Sequence, residues 1–480
     1  MQKLIFRNFI LFSFPSLIVR IIPFLILPIT SKYFSLNEFA LVALFEVIII
    51  LFHILMGFGA NHIINSTWHS DSIEKRQKII FTLVIISFLY WLIGICIIVL
   101  FFDDIFHNNL FIELRNIKHL KNYIFLSSFS LVPGIIFTCW SIIQKRGLLF
   151  IFLKLAQAIA ILILSIYLTL TYQNIEYLIF SKSIVSFFLS IIELCILLNY
   201  AKLKFSIKIF TDAITLSFSF LVRNLFAQLK LQFDRLFISY LYGPSQFVLY
   251  AYSAKINNIF LETSEHFQNS YNPTLYHNIS KSKGSKKLNF IFFTWSILII
   301  YTCSLFMVFG SYFIDWISNS LLIDALPLMN FHTCIIILSL PFIGNFEILV
   351  NYKKTKFLLF TSVIHGIVTI SFGYVFITKF GLIGGALSIW LSNLFANVIY
   401  YLKKQSITKI YFIEKTLFPY VIIYHMSFFA KYLGYHIESF IIILLMLIAI
   451  TFKYYNKYGK NIFDLFNQLK NNAIKDLIRY

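Results

Sequence analysis

Apolar runs of about 18 or more residues recur along nearly the whole chain, and each is long enough to cross a hydrocarbon core of about 30 Å as a helix. The pattern predicts about fourteen spans, centred near residues 20, 50, 90, 131, 162, 188, 228, 260, 300, 338, 367, 392, 425 and 445. The class is therefore all-α, a polytopic membrane protein, and the stretches between the spans are too short for a soluble domain. The first run follows Lys3 and Arg7, continues through Pro15, Pro23 and Pro28, and has no small-residue cleavage site. It reads as a retained first helix rather than a signal peptide.

Composition agrees: 59% of the 480 residues are hydrophobic, 19% aromatic and 12% charged, against about 25% charge in an ordinary soluble domain. The net charge of +20 raises the question of nucleic acid, and its location excludes that reading. About 28 of the 40 Lys and Arg fall in the N-terminus, the loops that follow even-numbered spans, and the tail. Such one-sided placement marks a cytoplasmic face, which puts both termini in the cytoplasm. The five cysteines (Cys96, Cys139, Cys195, Cys303, Cys334) all fall within spans, with no metal or disulfide spacing.

An internal repeat organises the spans. An offset of 208 residues sets "EFALVALFEVI" (38–48) against "QFVLYAYSAKI" (246–256), Pro133 on Pro341, and Lys145-Arg146 on Lys353-Lys354. Six spans per unit in the same sense make a parallel repeat. The expected organisation is an N-terminal six-helix half (1–200), a C-terminal six-helix half (201–402) facing it across a central cavity, two added helices (403–455) and a basic cytoplasmic tail (456–480). The tail carries Ile462, Leu465, Phe466 and Leu469 at helical spacing and reads either as an amphipathic helix on the inner leaflet or as a solvated end.

Charges within the spans are the candidate chemistry. On the seventh span Arg223, Lys230 and Asp234 share an arc at 100° per residue, extended by Asn224, Gln228, Gln232 and Arg235. The opposite arc, from Val222 to Phe237, is apolar and is expected to face lipid, because a charge at mid-membrane costs at least about 2.5 kcal/mol. The eighth span repeats the design with Lys255, Asn258, Glu262, His266 and Asn269. Earlier spans hold fewer charges: Arg20 in the first, Glu46 and His53 in the second, Lys182 and Glu193 in the sixth. Two readings stand for each. Arg20, Arg223, Lys230 and Lys255 line a cationic cavity for an anion; Glu46, Asp234, Arg235, Glu262 and His266 couple an ion or form structural pairs. No HExxH, GxSxG, CxxC or Gly-rich phosphate cradle occurs, the outside loops are short, and neither a cofactor nor a metal is called for.

Three segments resemble a known family. "LPITSKYFSLNEFALVALFEVIIILFHILMGFGANHII" (27–64), "DRLFISYLYGPSQFVLYAYSAKI" (234–256) and "FGLIGGALSIWLSNLFANVIYYL" (380–402) are similar to Wzx-type flippases of the multidrug/oligosaccharidyl-lipid/polysaccharide exporter superfamily, over roughly residues 1–402. The resemblance implies a bacterial inner-membrane translocator, not an enzyme. Its cargo would be an undecaprenyl-pyrophosphate-linked oligosaccharide, such as an O-antigen or capsule repeat unit. Membrane lipid and other polysaccharide assembly proteins would be its further partners. The alternatives are a cation-coupled drug or metabolite antiporter, a lipid II flippase of the same fold, or a membrane polysaccharide polymerase or ligase.

Overall fold

A helix satisfies its own backbone hydrogen bonds, which is why an apolar chain crosses lipid in this form. In the computed structural model, the described residues are 21–57 apart from 23, then 64, 72–102, 114, 117–144, 146–201, 205–207, 210–211, 225–226, 229–230, 232–255, 258–260, 263–264, 286–352, 354–407 and 414–453. Among these residues the backbone is helical, with no strand. In chain order the helices are α1 (24–30), α2 (Leu36–Gly57), α3 (Ile73–Leu100), α4 (Leu120–Phe129 continued by Leu131–Ile143), α5 (Gly147–Tyr172) and α6 (Glu176–Ala201). There follow α7 (232–242), α8 (244–255), α9 (Lys286–Ser318), α10 (Leu326–Ser339), α11 (355–380), α12 (382–407), α13 (Glu414–Tyr432) and α14 (His436–Lys453). A short helix, Asn345–Asn351, precedes α11.

Eight segments among the described residues are long and apolar enough to cross a membrane. They contain the expected centres near 90, 131, 162, 188, 300, 338, 367, 392 and 445, with two centres in the segment Lys356–Ile407. As one straight rod, the 53 residues from Thr355 to Ile407 would reach about 80 Å at about 1.5 Å per residue, far beyond the bilayer. The rod is broken at Gly381, whose φ of 61° and ψ of −138° are not helical. Past the break the two strokes lie so close that a Cβ on Gly384 would stand 2.0 Å from the Phe376 carbonyl oxygen. Residues 232–255 fold back in the same way at Gly243, where φ is 80°. Without that turn, Asp234 and Tyr250 would stand about 24 Å apart along one helix; instead they are hydrogen-bonded.

Local signals start the helices. Glu38 Oε2 accepts from the Ser35 backbone N–H at 2.8 Å while Ser35 Oγ accepts from Glu38 N–H at 3.4 Å, a reciprocal capping box at the head of α2. Ser72 caps α3 by accepting from Lys75 N–H. Between helices, α6 presents a run of serines: Ser183 meets Ser127 of α4 at 2.7 Å, Ser181 meets Ser165 of α5 at 2.6 Å, and Ser186 accepts from Gln157 at 3.1 Å. Small hydroxylated residues allow close helix approach and hydrogen-bond across it.

Among the described residues, three large apolar cores organise the bundle. One joins α3, α4, α5 and α6 around Phe137, Trp140 and Phe150. A second, around Phe292, Ile337 and Tyr424, ties α13 and α14 onto α9, α10 and α12. The third crosses between the early and late helices, packing Phe24, Phe39 and Phe45 with Phe247, Tyr252, Ile314 and Met329. Beside it, Ser245 Oγ donates to Asn37 Oδ1 at 2.6 Å, and Asn319 Nδ2 donates to the Pro28 carbonyl and to Ser31 Oγ at 3.2 and 2.7 Å.

The apolar arc of the seventh span departs from its expected lipid exposure. A Cβ on Gly366 would stand 3.0 Å from Phe226, and one on Gly373 would stand 3.1 Å from Phe233. Phe237 lies 5.5 Å, centroid to centroid, from Tyr374. Glycines seven residues apart on α11 open hollows that receive rings seven apart on the facing helix. The arc is apolar because it packs on α11.

These contacts predict a sharp contrast between two Gly→Ala changes. Gly384→Ala meets backbone at 2.0 Å, which no side-chain rotation relieves, and folded, monodisperse protein should be lost. Gly373→Ala comes nearest the edge of Phe233 at 3.1 Å, with side chains alone in its way, and should cost about 1–3 kcal/mol. Size-exclusion profiles and thermal unfolding of the two purified variants check both outcomes.

Candidate functional site

The helices bring the candidate charges into two groups joined by α8. In the first, Glu46 projects from α2 between two lysines. Lys182 Nζ of α6 lies 2.9 Å from Oε1, and Lys255 Nζ of α8 lies 3.1 Å from Oε2. The Glu46 and Lys255 side chains are 19% and 15% exposed, whereas that of Lys182 is 46% exposed. Among the described residues, two ammonium groups against one carboxylate leave a surplus of one positive charge. Because a bare charge in hydrocarbon is costly, the open flank of Lys182 requires water or an anion beside it. Lys255 also lies 4.3 Å above the Tyr252 ring, an attraction to the negative face of the aromatic system. Tyr252 in turn packs edge-on against Phe24 and Phe39, so the charged network borders the apolar core between early and late helices.

The second group is sealed. Asp234 is 1% exposed and Arg235 8%. The Tyr250 hydroxyl donates to Asp234 Oδ2, and the Arg235 backbone N–H donates to Oδ1 at 3.0 Å. Arg235 Nη1 donates to Gln232 Oε1 at 3.4 Å. The ring of His332, fully buried on α10, lies 5.8 Å from that of Tyr250, and among the described residues neither of its nitrogens has a hydrogen-bonding partner. Lys230 is half-buried one turn before Asp234 on the same face. The polar arc read from the sequence thus splits here, with Asp234 and Arg235 inside a packed cluster.

A further ion pair joins α5 and α6. Lys154 of α5 lies 2.9 Å from Glu193 of α6, with Glu193 only 5% exposed. Glu193 was visible as a charge in a span; Lys154, Tyr250 and His332 carried no spacing signal that singled them out. Arg20, Arg223, Glu262 and His266 lie outside the described residues, as do the His53 side chain and the tail 456–480. Among the described residues, no group of three or more His, Cys, Asp or Glu could hold a metal ion.

The second group yields a stability prediction. Tyr250→Phe removes the Tyr250 hydroxyl that donates to Asp234 Oδ2 and leaves that oxygen buried without it, a loss of about 1–3 kcal/mol. A fall in the thermal midpoint of the detergent-solubilised variant checks this. A Cβ on Gly385 would stand 3.0 Å from the Tyr250 ring, so Gly385→Ala should disturb the same bond from the α12 side.

A family model described as polysaccharide biosynthesis protein matches residues 5–261, and no curated protein sequence matches the chain. Among solved structures, the chain is similar to an inward-facing multidrug resistance MATE family transporter of the MOP superfamily, with a TM-score of 0.65 at 13% identity over 81% of this chain and 94% of that one. It is similar to the lipid II flippase MurJ in an inward closed conformation, with a TM-score of 0.63 at 18% identity over 93% of this chain and 99% of the other. A MOP superfamily transporter from Pyrococcus furiosus, described as having a binding pocket of reverse polarity, gives 0.61 at 14% identity over 83% and 95%. The chain, a multi-pass α-helical membrane protein, belongs to the polysaccharide biosynthesis protein family and has the fold of the MOP-superfamily transporters.

Proposed function

We propose that the protein is a flippase carrying an undecaprenyl-pyrophosphate-linked oligosaccharide from the cytoplasmic to the periplasmic leaflet of a bacterial inner membrane. The observation that carries this reading is the surplus positive charge of the Glu46–Lys182–Lys255 network, with Lys182 open beside it. A pyrophosphate is the part of such a cargo least able to enter hydrocarbon, and it needs charged donors along the path. Each lysine ammonium offers three donors as a compact point charge. Arg20, Arg223 and Lys230 would add to the path, with the sugars in water and the polyprenyl tail in lipid at a seam between the halves.

Alternating access follows from a repeat in which one half rocks against the other. Asn37 and Ser245 are 208 residues apart and hydrogen-bonded to each other, which is what two equivalent residues at a pseudo-twofold axis would do. With both termini in the cytoplasm, the loops at 31–35, 243–245 and 319–322 lie on the periplasmic side. The core around Phe39 and Tyr252 is then the periplasmic seal, and the state is closed outward.

A multidrug exporter of the same fold is the second reading, favoured by the likeness to a MATE family transporter. A cavity for cationic drugs calls for surplus acid, the opposite of this network. A lipid II flippase would use the same charge logic, and the two differ in the sugars accepted.

The test is transport of a fluorescent undecaprenyl-pyrophosphate oligosaccharide in proteoliposomes. Wild type should move it from leaflet to leaflet and leave a neutral polyprenyl glycoside in place. Lys255→Ala and Arg223→Ala should each lower the rate about 10- to 150-fold, as loss of one charge-assisted hydrogen bond of about 1.5–3 kcal/mol requires. Export of a cationic dye with no lipid movement would favour the multidrug reading, and chain extension of the oligosaccharide would favour a polymerase.

A further inference from the structure

The network around Glu46 has a property that a simple anion site lacks. Both carboxylate oxygens are already taken, one by each lysine. An arriving phosphate group therefore finds its cationic partners engaged, and it must compete with the protein's own anion. Glu46 and Lys182 belong to α2 and α6, whereas Lys255 belongs to α8. Among the described residues, Glu46–Lys255 is the charged contact between the early and late helices. The polar ties beside it, Ser245–Asn37 and Asn319 to Ser31 and Pro28, are neutral. The charged contact also lies next to the seal, since Lys255 sits on the Tyr252 ring that packs against Phe24 and Phe39.

We propose that Glu46 is an internal counter-anion that a pyrophosphate headgroup displaces from Lys182 and Lys255, so that arrival of cargo unties α2 from α8. The inference rests on the pyrophosphate-cargo reading above and adds a mode of control to it. A pyrophosphate carries more negative charge than one carboxylate and can engage both ammonium groups at once, so Coulomb attraction favours the exchange. Once Glu46 has lost Lys255, the seal is held by neutral contacts alone and opens at lower cost. After release, Glu46 recovers both lysines and the resting state closes. The internal competitor thus weakens cargo binding and speeds release, and it keeps the lysines paired when no cargo is present. The sign of the effect is specific: removing Glu46 should tighten binding, whereas removing a residue that merely positions the lysines should weaken it.

The experiment uses the full-length protein in nanodiscs of phosphatidylethanolamine and phosphatidylglycerol, with undecaprenyl pyrophosphate as probe and undecaprenol as neutral control. Nitroxides carried on non-canonical amino acids at Lys32 and Tyr312, both exposed near the contact of Ser31 with Asn319, report the separation across the seal and leave the native cysteines in place. Glu46→Gln should bind the pyrophosphate lipid about fivefold or more tightly than wild type, in the range of ordinary coupling between linked sites, and should show the longer separation before lipid is added. In wild type, undecaprenyl pyrophosphate should lengthen the separation and undecaprenol should not. Equal or weaker binding by Glu46→Gln overturns the inference. So does a wild-type separation that ignores bound pyrophosphate lipid, a result that does not depend on the variant folding. Failure of wild type to prefer undecaprenyl pyrophosphate over undecaprenol removes the cargo reading itself, and the inference with it.

Discussion

Inside a bilayer the protein must supply the partner for every polar group that water would otherwise satisfy, and the arrangement of this molecule follows from that demand. Glu46 is held because two lysines reach it from different helices. Glu193 is held by Lys154, and Asp234 by the Tyr250 hydroxyl and a backbone N–H. The Tyr242 hydroxyl donates to the carbonyl of Ile377 at 2.8 Å, close to the break at Gly381 where the helical ladder is interrupted. Each side-chain partner named lies on a different helix or past a turn, so polar satisfaction and helix packing specify one another.

The glycines make those meetings possible. Gly243 turns the chain so that Asp234 and Tyr250 meet. Gly381 and Gly384 turn it again so that α12 returns against α11, and Gly385, the next residue, leaves the space that the Tyr250 ring occupies. The α11–α12 hairpin and the Asp234 cluster are thereby one packing unit. A change of a single methyl group at the hairpin reaches a buried carboxylate without touching it.

The two groups of charges have different characters, and the 208-residue offset shows how the difference is built. Asp234, Arg235, Tyr250 and His332 align with Ile26, Leu27, Val42 and Ile124, while Glu46 and Lys182 align with Ala254 and Trp390. In that alignment of the sequence, polar side chains thus stand at different places in the two stretches. The sealed cluster of α7, α8 and α10 is near charge balance and closed to solvent; the network of α2, α6 and α8 carries excess positive charge and is open on one flank. Openness combined with unbalanced charge is what an anionic cargo can use, and among the described residues the Glu46 network combines them.

The apolar runs, the charged arcs and the glycine turns are local properties of the chain. A lipid-crossing helix closes its hydrogen bonds within its own segment, so the class, most span positions and the two spans centred near 367 and 392 were legible in the sequence. Glu46, Lys255, Asp234 and Arg235 were legible as charges that lipid would not tolerate unaccompanied. Their partners were not. Lys182 reaches Glu46 across 136 residues and Lys154 reaches Glu193 across 39, and no helical period connects such pairs. The apolar arc ending at Phe237 looked lipid-facing because lipid and a neighbouring glycine-bearing helix make the same demand on side-chain polarity. Sequence by itself determined that these charges must be hidden; only the packing of helices decided that Asp234 is sealed in and that Lys182 stays open, because access is a property of what lies across the groove.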